Sequence, residues 1–248
     1  MTNQRFDTLD ALRGLAMVWM TGFHLFFDLS HFKLVTQDVV LDPFWTWQRT
    51  LIVSLFLLCA GMGQAMATAQ GQSWPRFWRR WAQVAGSALL VTAGSWLTFP
   101  DSFIYFGVLH GLALMLIVVR FTAHWGPWLW LLGGVAIGSK FIFENLLQTG
   151  PLAPWADAMN SMRWNWLGWI SQKPVTEDYV PLFPWLGVMW WGAAAGGWLV
   201  KQQPDWLERP LPQALHALAG LGRWSLSYYL LHQPVLIALV GGVSWLLR

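Results

Sequence analysis

Charged residues are scarce in this 248-residue chain: Asp, Glu, Lys and Arg make up 11% of it, whereas soluble domains usually carry about 25%. Apolar residues make up 56%, and the mean hydropathy is +0.42. A protein with so few charges cannot cover a water-facing surface, which excludes a soluble enzyme, a disordered chain and a nucleic-acid-binding module. The 21 tryptophans suit a protein with two membrane–water interfaces. The sequence therefore predicts a polytopic membrane protein.

Cysteine and the common catalytic motifs are also lacking. The single Cys59 cannot form an internal disulfide, and it lies inside an apolar run. Neither a Gly-x-Ser-x-Gly motif nor a His/Cys spacing typical of zinc sites is present, so a serine esterase has no support and we expect no metal. The net charge of +3 needs no nucleic-acid partner and is attributed to basic cytoplasmic loops.

Apolar segments of about 20 residues, the length that spans a bilayer, recur along the chain. Seven are predicted, at approximately 10–29, 48–68, 81–99, 104–120, 127–147, 181–200 and 222–246. The longest break, 148–180, contains three prolines and four tryptophans, which predicts a lid-like segment at the membrane interface. The expected fold is all-α, a transmembrane bundle of about seven spanning helices plus short interfacial helices, in one domain covering 1–248.

The placement of Lys and Arg predicts the orientation. With the N-terminus inside, the cytoplasmic side receives Arg5, Arg13, Arg76, Arg79, Arg80, Arg120, Lys201, Arg209 and Arg223. The opposite side receives Lys33, Arg49, Arg163, Lys173 and Arg248. This excess favours a cytoplasmic N-terminus.

The first predicted helix carries ionisable residues where such groups are costly and mark candidate functional sites. They are Asp10, Arg13, His24 and Asp28. At about 100° per residue all four share one narrow stripe, with Arg13 about 16 Å from His24 along the axis and Asp28 one turn beyond His24. We interpret the stripe as one polar wall of a buried passage.

Imidazole titrates near neutral pH, so His24 can act as a general base, and a carboxylate at Asp28 can orient the ring. The alternative is structural. Asp10 and Arg13 then form a helix cap and an interface anchor, and His24 and Asp28 a hydrogen-bonded pair.

Other candidate residues carry two interpretations each. Arg76, Arg79 and Arg80 open the third helix as a positive-inside anchor or as a clamp for the phosphates of a cytosolic donor. His110 and His232 lie within predicted helices and either face the same cavity or satisfy a kink. His31 falls on the His24 stripe if the first helix extends that far.

One N-terminal segment reads Arg5-Phe6-Asp7-Thr8-Leu9-Asp10-Ala11-Leu12-Arg13-Gly14-Leu15-Ala16 and is followed by His24 and Phe26-Phe27-Asp28-Leu29. It is the most specific of several segments that resemble the bacterial heparan-α-glucosaminide N-acetyltransferase-like proteins, within the wider transmembrane acyltransferases. Arg13 and His24 reproduce the Arg-x10-His spacing of the acyltransferase-3 relatives, and Arg76-x-x-Arg79 resembles an acyl-CoA-binding element. Cys59-Ala60 departs from the serine of those relatives.

The resemblance implies transfer of an acetyl or other short acyl group from cytosolic acyl-CoA to a hydroxyl or amine of a sugar-containing acceptor. His24 would be the base, Asp28 its partner, and Arg13, Arg76, Arg79 and Arg80 would hold the donor, while Asp10, His110 and His232 would line the cavity. The animal lysosomal relative places its active histidine after the first helix, which makes His31 a rival. Implied partners are membrane lipids and a glycan or glycolipid acceptor, with a homodimer left open, in a bacterial inner membrane.

Two other classes remain open at this stage. The polar stripe also suits a proton-coupled or small-molecule transporter, although no inverted repeat is visible. A structural or lipid-binding subunit, whose stripe packs against a partner, is the third.

Overall fold

The computed structural model describes residues 6–247, and helices joined by loops make up this part of the chain. Its ten α-helices are α1 (Asp7–His31), α2 (Pro43–Ala69), α3 (Trp74–Thr98), α4 (Val108–Thr122), α5 (Trp128–Gln148), α6 (Ala156–Asn160), α7 (Leu182–Gln202), α8 (Pro204–Glu208), α9 (His216–Arg223) and α10 (Ser225–Leu246). Between residues 6 and 247 no strand forms, and the one isolated bridge joins Phe106 to Tyr179. The prediction of an all-α fold is confirmed. Arg5 and Arg248, which enter the count of basic residues, lie outside the described residues.

Seven of these helices are long, and each falls on a predicted apolar segment. Within residues 6–247, four are long and apolar enough to cross a membrane: Pro43–Ala69, Val108–Trp125, Trp128–Gln148 and Ser225–Leu246. Four candidate spans are thus supported by length and composition, while the full set of seven stays a prediction.

The chain divides into two compact units, and residues 6–59 and 205–247 form the first. In this unit α1 packs against α9 and α10. Its core is built around α1, where apolar side chains recur at helical spacing: Ala16, Met17, Met20 and Phe23 are buried together with Val39 and Ile52.

Close approach between α1 and α9 depends on two glycines. A Cβ atom at Gly14 would overlap the backbone carbonyl of Leu218, and one at Gly222 would overlap the backbone carbonyl of Asp10. The two helices therefore touch through their backbones, which only glycine permits at these positions.

The second unit, residues 60–204, contains α3 to α7. The first turn of α3 includes Pro75, where a missing N–H costs nothing. Trp81 of α3 donates to the carbonyl of Ala113 in α4. Gly133 of α5 and Gly187 of α7 face each other so closely that a Cβ on either would overlap the partner helix.

The break between α5 and α7 is an ordered segment. Asn160 accepts hydrogen bonds from the backbone of Ser171 and Gln172, and Asn165, 1% exposed, donates to the Tyr105 hydroxyl. Tyr179 donates to the carbonyl of Asn165 at 2.6 Å. Burial raises the pKa of both tyrosines, so both phenols stay protonated near neutral pH.

Candidate active site

Two histidine rings face each other inside the first unit. His24 of α1 and His232 of α10 have ring centroids 5.1 Å apart, at an interplanar angle of 69°. Phe23 and Phe27 pack their edges against His24, with centroids 5.6 and 6.5 Å away. The Tyr228 ring stacks on His232 at 5.9 Å. Apolar and aromatic surroundings therefore enclose the pair.

The tautomer of His232 follows from its neighbour. Its Nδ1 lies 2.8 Å from the backbone carbonyl oxygen of Tyr229, and a carbonyl only accepts hydrogen bonds. Nδ1 must therefore carry the proton, which leaves Nε2 of the neutral ring with a lone pair. This Nε2 is buried and has no hydrogen-bond partner.

Tyr228 is fixed in a similar way. Thr21 donates its hydroxyl proton to the carbonyl of Met17 at 2.8 Å, and the Tyr228 hydroxyl lies 2.6 Å from the Thr21 oxygen. Because the Thr21 proton is already used, Tyr228 donates to Thr21. The bond holds the ring that stacks on His232.

A carboxylate and an amide complete the cluster. Gln233 donates from Nε2 to Oδ1 of Asp28 at 2.9 Å. The other carboxylate oxygen of Asp28 and Oε1 of Gln233 are buried without partners. The hydrogen bonds of the described residues include none between Asp28 and His24, and the hydrogen-bond partner of Asp28 is Gln233, which is adjacent in sequence to His232.

Unsatisfied polar atoms concentrate here. In residues 6–247, six buried side-chain nitrogen or oxygen atoms lack a hydrogen-bond partner, and four belong to this cluster. They are His24 Nδ1, Asp28 Oδ2, His232 Nε2 and Gln233 Oε1. Leaving a buried polar group unpaired costs about 1–3 kcal/mol, so this concentration suits a place where a polar ligand group binds.

The other end of the predicted stripe is an ion-pair network. Arg13 lies 3.0 Å from Oδ1 of Asp10 and donates to the carbonyl of Cys59 at 3.4 Å. Arg223 lies 3.8 Å from Oδ2 of Asp10 and 2.6 Å from Oδ1 of Asp7. The hydrogen bond to Asp7 and the charge of Asp7 raise the pKa of Arg223. Asp10, 2% exposed, thus lies between two arginines. Asp10 is therefore not the helix cap of the structural interpretation, because the N-cap of α1 is Phe6 and no side chain caps it. Donor binding by Arg13 stays a prediction.

His31 and His110 differ from the central pair. His31 is the last residue of α1, is exposed, and stacks on Phe27 with centroids 6.5 Å apart. In the second unit, His110 Nδ1 accepts from the backbone N–H of Gly107, so Nε2 carries the proton and donates to Thr92 at 2.9 Å. Both ring nitrogens of His110 are used within the protein.

Three of the four arginines predicted to bind a donor, Arg76, Arg79 and Arg80, are exposed on the first turns of α3. Arg80 donates to Gln83 at 3.2 Å within the same helix. Arg76 and Arg79 lie one turn apart and extend from the same end of the helix. They are accessible to a soluble anion.

Arg120 plays a part that the sequence did not indicate. It donates to the Thr68 hydroxyl at 2.9 Å and to the Gln72 carbonyl at 2.6 Å. Its guanidinium lies 4.7 Å from the centre of the Trp74 ring. One side chain thus ties the end of α2 and the start of α3 to the end of α4. One of the two acceptors is a backbone carbonyl, so no side-chain pattern in the sequence indicated this contact.

No group of three or more His, Cys, Asp or Glu side chains forms a metal-binding arrangement within the described part of the chain. The absence of a metal stays a prediction.

Comparison with known proteins gives one match. A family model described as "Heparan-alpha-glucosaminide N-acetyltransferase, catalytic" matches residues 5–234, which is nearly the whole chain. No curated protein and no solved structure matches significantly.

Proposed function

Because the chain belongs to the family of heparan-α-glucosaminide N-acetyltransferase catalytic domains, we propose that it transfers an acetyl or other short acyl group from acyl-CoA to a sugar-containing acceptor. Family membership indicates a membrane acetyltransferase, and the four apolar helices agree with a membrane protein. A cytosolic acyl-CoA donor, an acceptor hydroxyl or amine presented across the membrane, and a histidine base are the parts that we add. The pair His24 and His232, each with a buried ring nitrogen that has no hydrogen-bond partner, is the observation that supports this chemistry most directly.

In the proposed reaction His24 is the general base. The acceptor nitrogen or oxygen attacks the thioester carbonyl carbon while the neutral His24 ring takes its proton. The carbon–sulfur bond breaks, and the proton passes from His24 to the CoA thiolate, so that the products are acylated acceptor and CoA thiol. The rings of Phe23 and Phe27 beside His24 exclude water and so limit hydrolysis of the thioester.

Donor binding is proposed for Arg76 and Arg79, with Arg80 beside them. Guanidinium groups bind phosphate oxygens through charge-assisted hydrogen bonds, and CoA carries several phosphates. These exposed arginines belong to the second unit, whereas the imidazole pair belongs to the first. The two parts of the proposal are therefore tested separately.

We further propose that all seven long helices span the membrane, with a cytoplasmic N-terminus, as a multi-pass protein of a bacterial inner membrane. Helices α1 and α3 have 25 residues each and α7 has 21, enough for about 30 Å of hydrocarbon. Membrane lipids are the proposed partners of the exposed apolar face of α10, formed by Leu231, Val235, Leu239 and Leu246. A glycan or glycolipid acceptor, a homodimer, the absence of a nucleic-acid partner and a single-domain organisation stay predictions.

Release of CoA thiol from acetyl-CoA by the purified protein tests the activity. A thiol reagent can follow the release directly, because the single cysteine, Cys59, is fully buried. We expect slow release from acetyl-CoA alone and faster release with glucosamine as a probe acceptor. A transporter or a scaffold would release no CoA. If this protein releases no CoA with or without glucosamine, the proposed function is rejected.

The matched variant is His24→Gln, which keeps side-chain volume but cannot shuttle a proton. Loss of a general base should lower transfer by about 10²–10⁴-fold while acetyl-CoA binding persists. Wild-type turnover in this variant would remove His24 from the mechanism.

A further inference from the structure

Protonation of His24 creates a stability problem inside the first unit. When a buried base takes a proton it becomes a cation, and a cation in apolar surroundings is costly unless a hydrogen-bond acceptor faces it. The sequence assigned this task to Asp28, one turn beyond His24. In the structure the Asp28 carboxylate is bound by Gln233 instead.

His232 presents the acceptor that a protonated His24 needs. Its Nδ1–H is committed to the Tyr229 carbonyl, so Nε2 can only accept while the ring is neutral. That atom is buried without a partner, as is Nδ1 of His24. The tautomer of His232 is thus fixed by its hydrogen bond, whereas the proton of neutral His24 can lie on either ring nitrogen.

The hydrogen bond that fixes His232 is local to α10. His232 lies three residues after Tyr229, and its imidazole N–H donates to the Tyr229 carbonyl within one turn of the helix. Pro234, two residues further on, lacks the N–H that would bond the carbonyl of Leu230, so the next turn of α10 also departs from regular helical hydrogen bonding.

We propose that His232 accepts a hydrogen bond from protonated His24 during acyl transfer, so that the two imidazoles share one positive charge. A hydrogen bond of about 2.9 Å between two imidazole nitrogens places the ring centroids roughly 5 Å apart. The observed separation of 5.1 Å suits such a bond, formed by rotation of the His24 ring while the Tyr229 carbonyl holds His232 in place. His232 is a positioning residue in this scheme, since it acts through His24, and the inference rests on the proposed function.

Two variants of His232 separate this role from a purely structural one. In His232→Asn the amide nitrogen takes the place of Nδ1 and keeps the donor for the Tyr229 carbonyl, but nothing replaces Nε2. In His232→Gln the amide oxygen reaches the place of Nε2 and restores an acceptor toward His24, while the bond to Tyr229 is lost. If His232 accepts a hydrogen bond from His24, His232→Asn should lose more activity than His232→Gln. If His232 only donates to the Tyr229 carbonyl, the order of the two activities should be reversed.

The measurement is CoA release with glucosamine as the probe acceptor, at saturating acetyl-CoA, on proteins that elute as wild type in size-exclusion chromatography. His232→Asn should lower kcat by about 10- to 100-fold, the range for a hydrogen bond to a charged group, with the KM for acetyl-CoA unchanged. His232→Gln should lose clearly less. Near-wild-type kcat in His232→Asn overturns the proposal, and so does an equal loss in both variants.

Failure of the proposed function looks different from failure of this inference. A wild-type protein that releases no CoA rejects the function, whereas wild-type activity that is insensitive to His232→Asn rejects only the shared charge. A second measurement needs no activity: nitrogen-15 labelling of the six histidines reports each ring tautomer by NMR. A signal of His232 with the proton on Nδ1 supports the proposal, and one with the proton on Nε2 overturns it.

Discussion

Gln233 donates a hydrogen bond of 2.9 Å to Asp28, although 205 positions separate the two residues along the chain. The bond joins α10 to α1 inside the first unit. Asp28 is 2% exposed, and its second carboxylate oxygen has no partner. The amide of Gln233 therefore compensates in part for burying this carboxylate.

The first prediction follows from that bond. Gln233→Leu should lower the free energy of unfolding by about 1.5–3 kcal/mol, because it leaves a buried carboxylate without its donor. Adding Asp28→Leu should recover part of the loss, since no polar group is then left unpaired. A double-mutant cycle measured by denaturant unfolding checks this, with the exposed Gln203→Leu as a control expected within about 0.5 kcal/mol of wild type. Simple additivity of the two changes would contradict the coupling.

The second prediction separates the two histidines of α1. His31→Ala should retain most of the transfer activity, because His31 is exposed at the end of the helix and lies outside the pair of facing rings. His24→Ala should lose about 10²–10⁴-fold while the protein still binds acetyl-CoA. Rates of CoA release from both variants decide the matter. The reverse ranking would place the base at the outer end of α1.

The third prediction concerns the arginines of α3. Replacing both Arg76 and Arg79 with Gln should weaken acetyl-CoA binding by about tenfold or more, because a hydrogen bond to a charged group contributes about 1.5–3 kcal/mol. Isothermal titration gives the Kd, and Arg163→Gln, an exposed arginine of the same unit, is the control. Unchanged affinity in a folded double variant would leave these arginines only the alternative role of a positively charged membrane anchor.

The fourth prediction tests the contact between α1 and α9. Gly14→Ala should destabilise the protein by about 1–3 kcal/mol or more, because the new Cβ overlaps the backbone carbonyl of Leu218, which cannot move as a side chain can. Gly22→Ala, in the same helix, meets nothing within 4 Å and should be neutral or stabilising by up to about 1 kcal/mol. Thermal unfolding of the two variants side by side is the measurement, and equal stabilities would count against the close packing.

Residues such as His24 and His232 show where prediction from the sequence stopped. Both histidines were recognised as ionisable groups within apolar helices, and the helical stripe grouped His24 with Asp10, Arg13 and Asp28 on one face of α1. Their 5.1 Å separation was not predictable, because the two positions are far apart in sequence and no local pattern reports which helices pack together. The spacing of Asp28 from His24 suggested that these two residues pair. The observed partner of Asp28 is instead the amide of Gln233 from another helix.

The sequence by itself determined the class of this protein, because its composition and the length of its apolar runs depend on whether each segment faces lipid or water. A chain with 11% charged residues and repeated apolar segments can satisfy its backbone polar groups in a bilayer only as helices, and the helices formed where the runs are. Only the tertiary structure decided which polar groups meet. Arg120 on Trp74, Gln233 on Asp28 and His232 facing His24 depend on packing between helices, where distance and desolvation give each contact its energy.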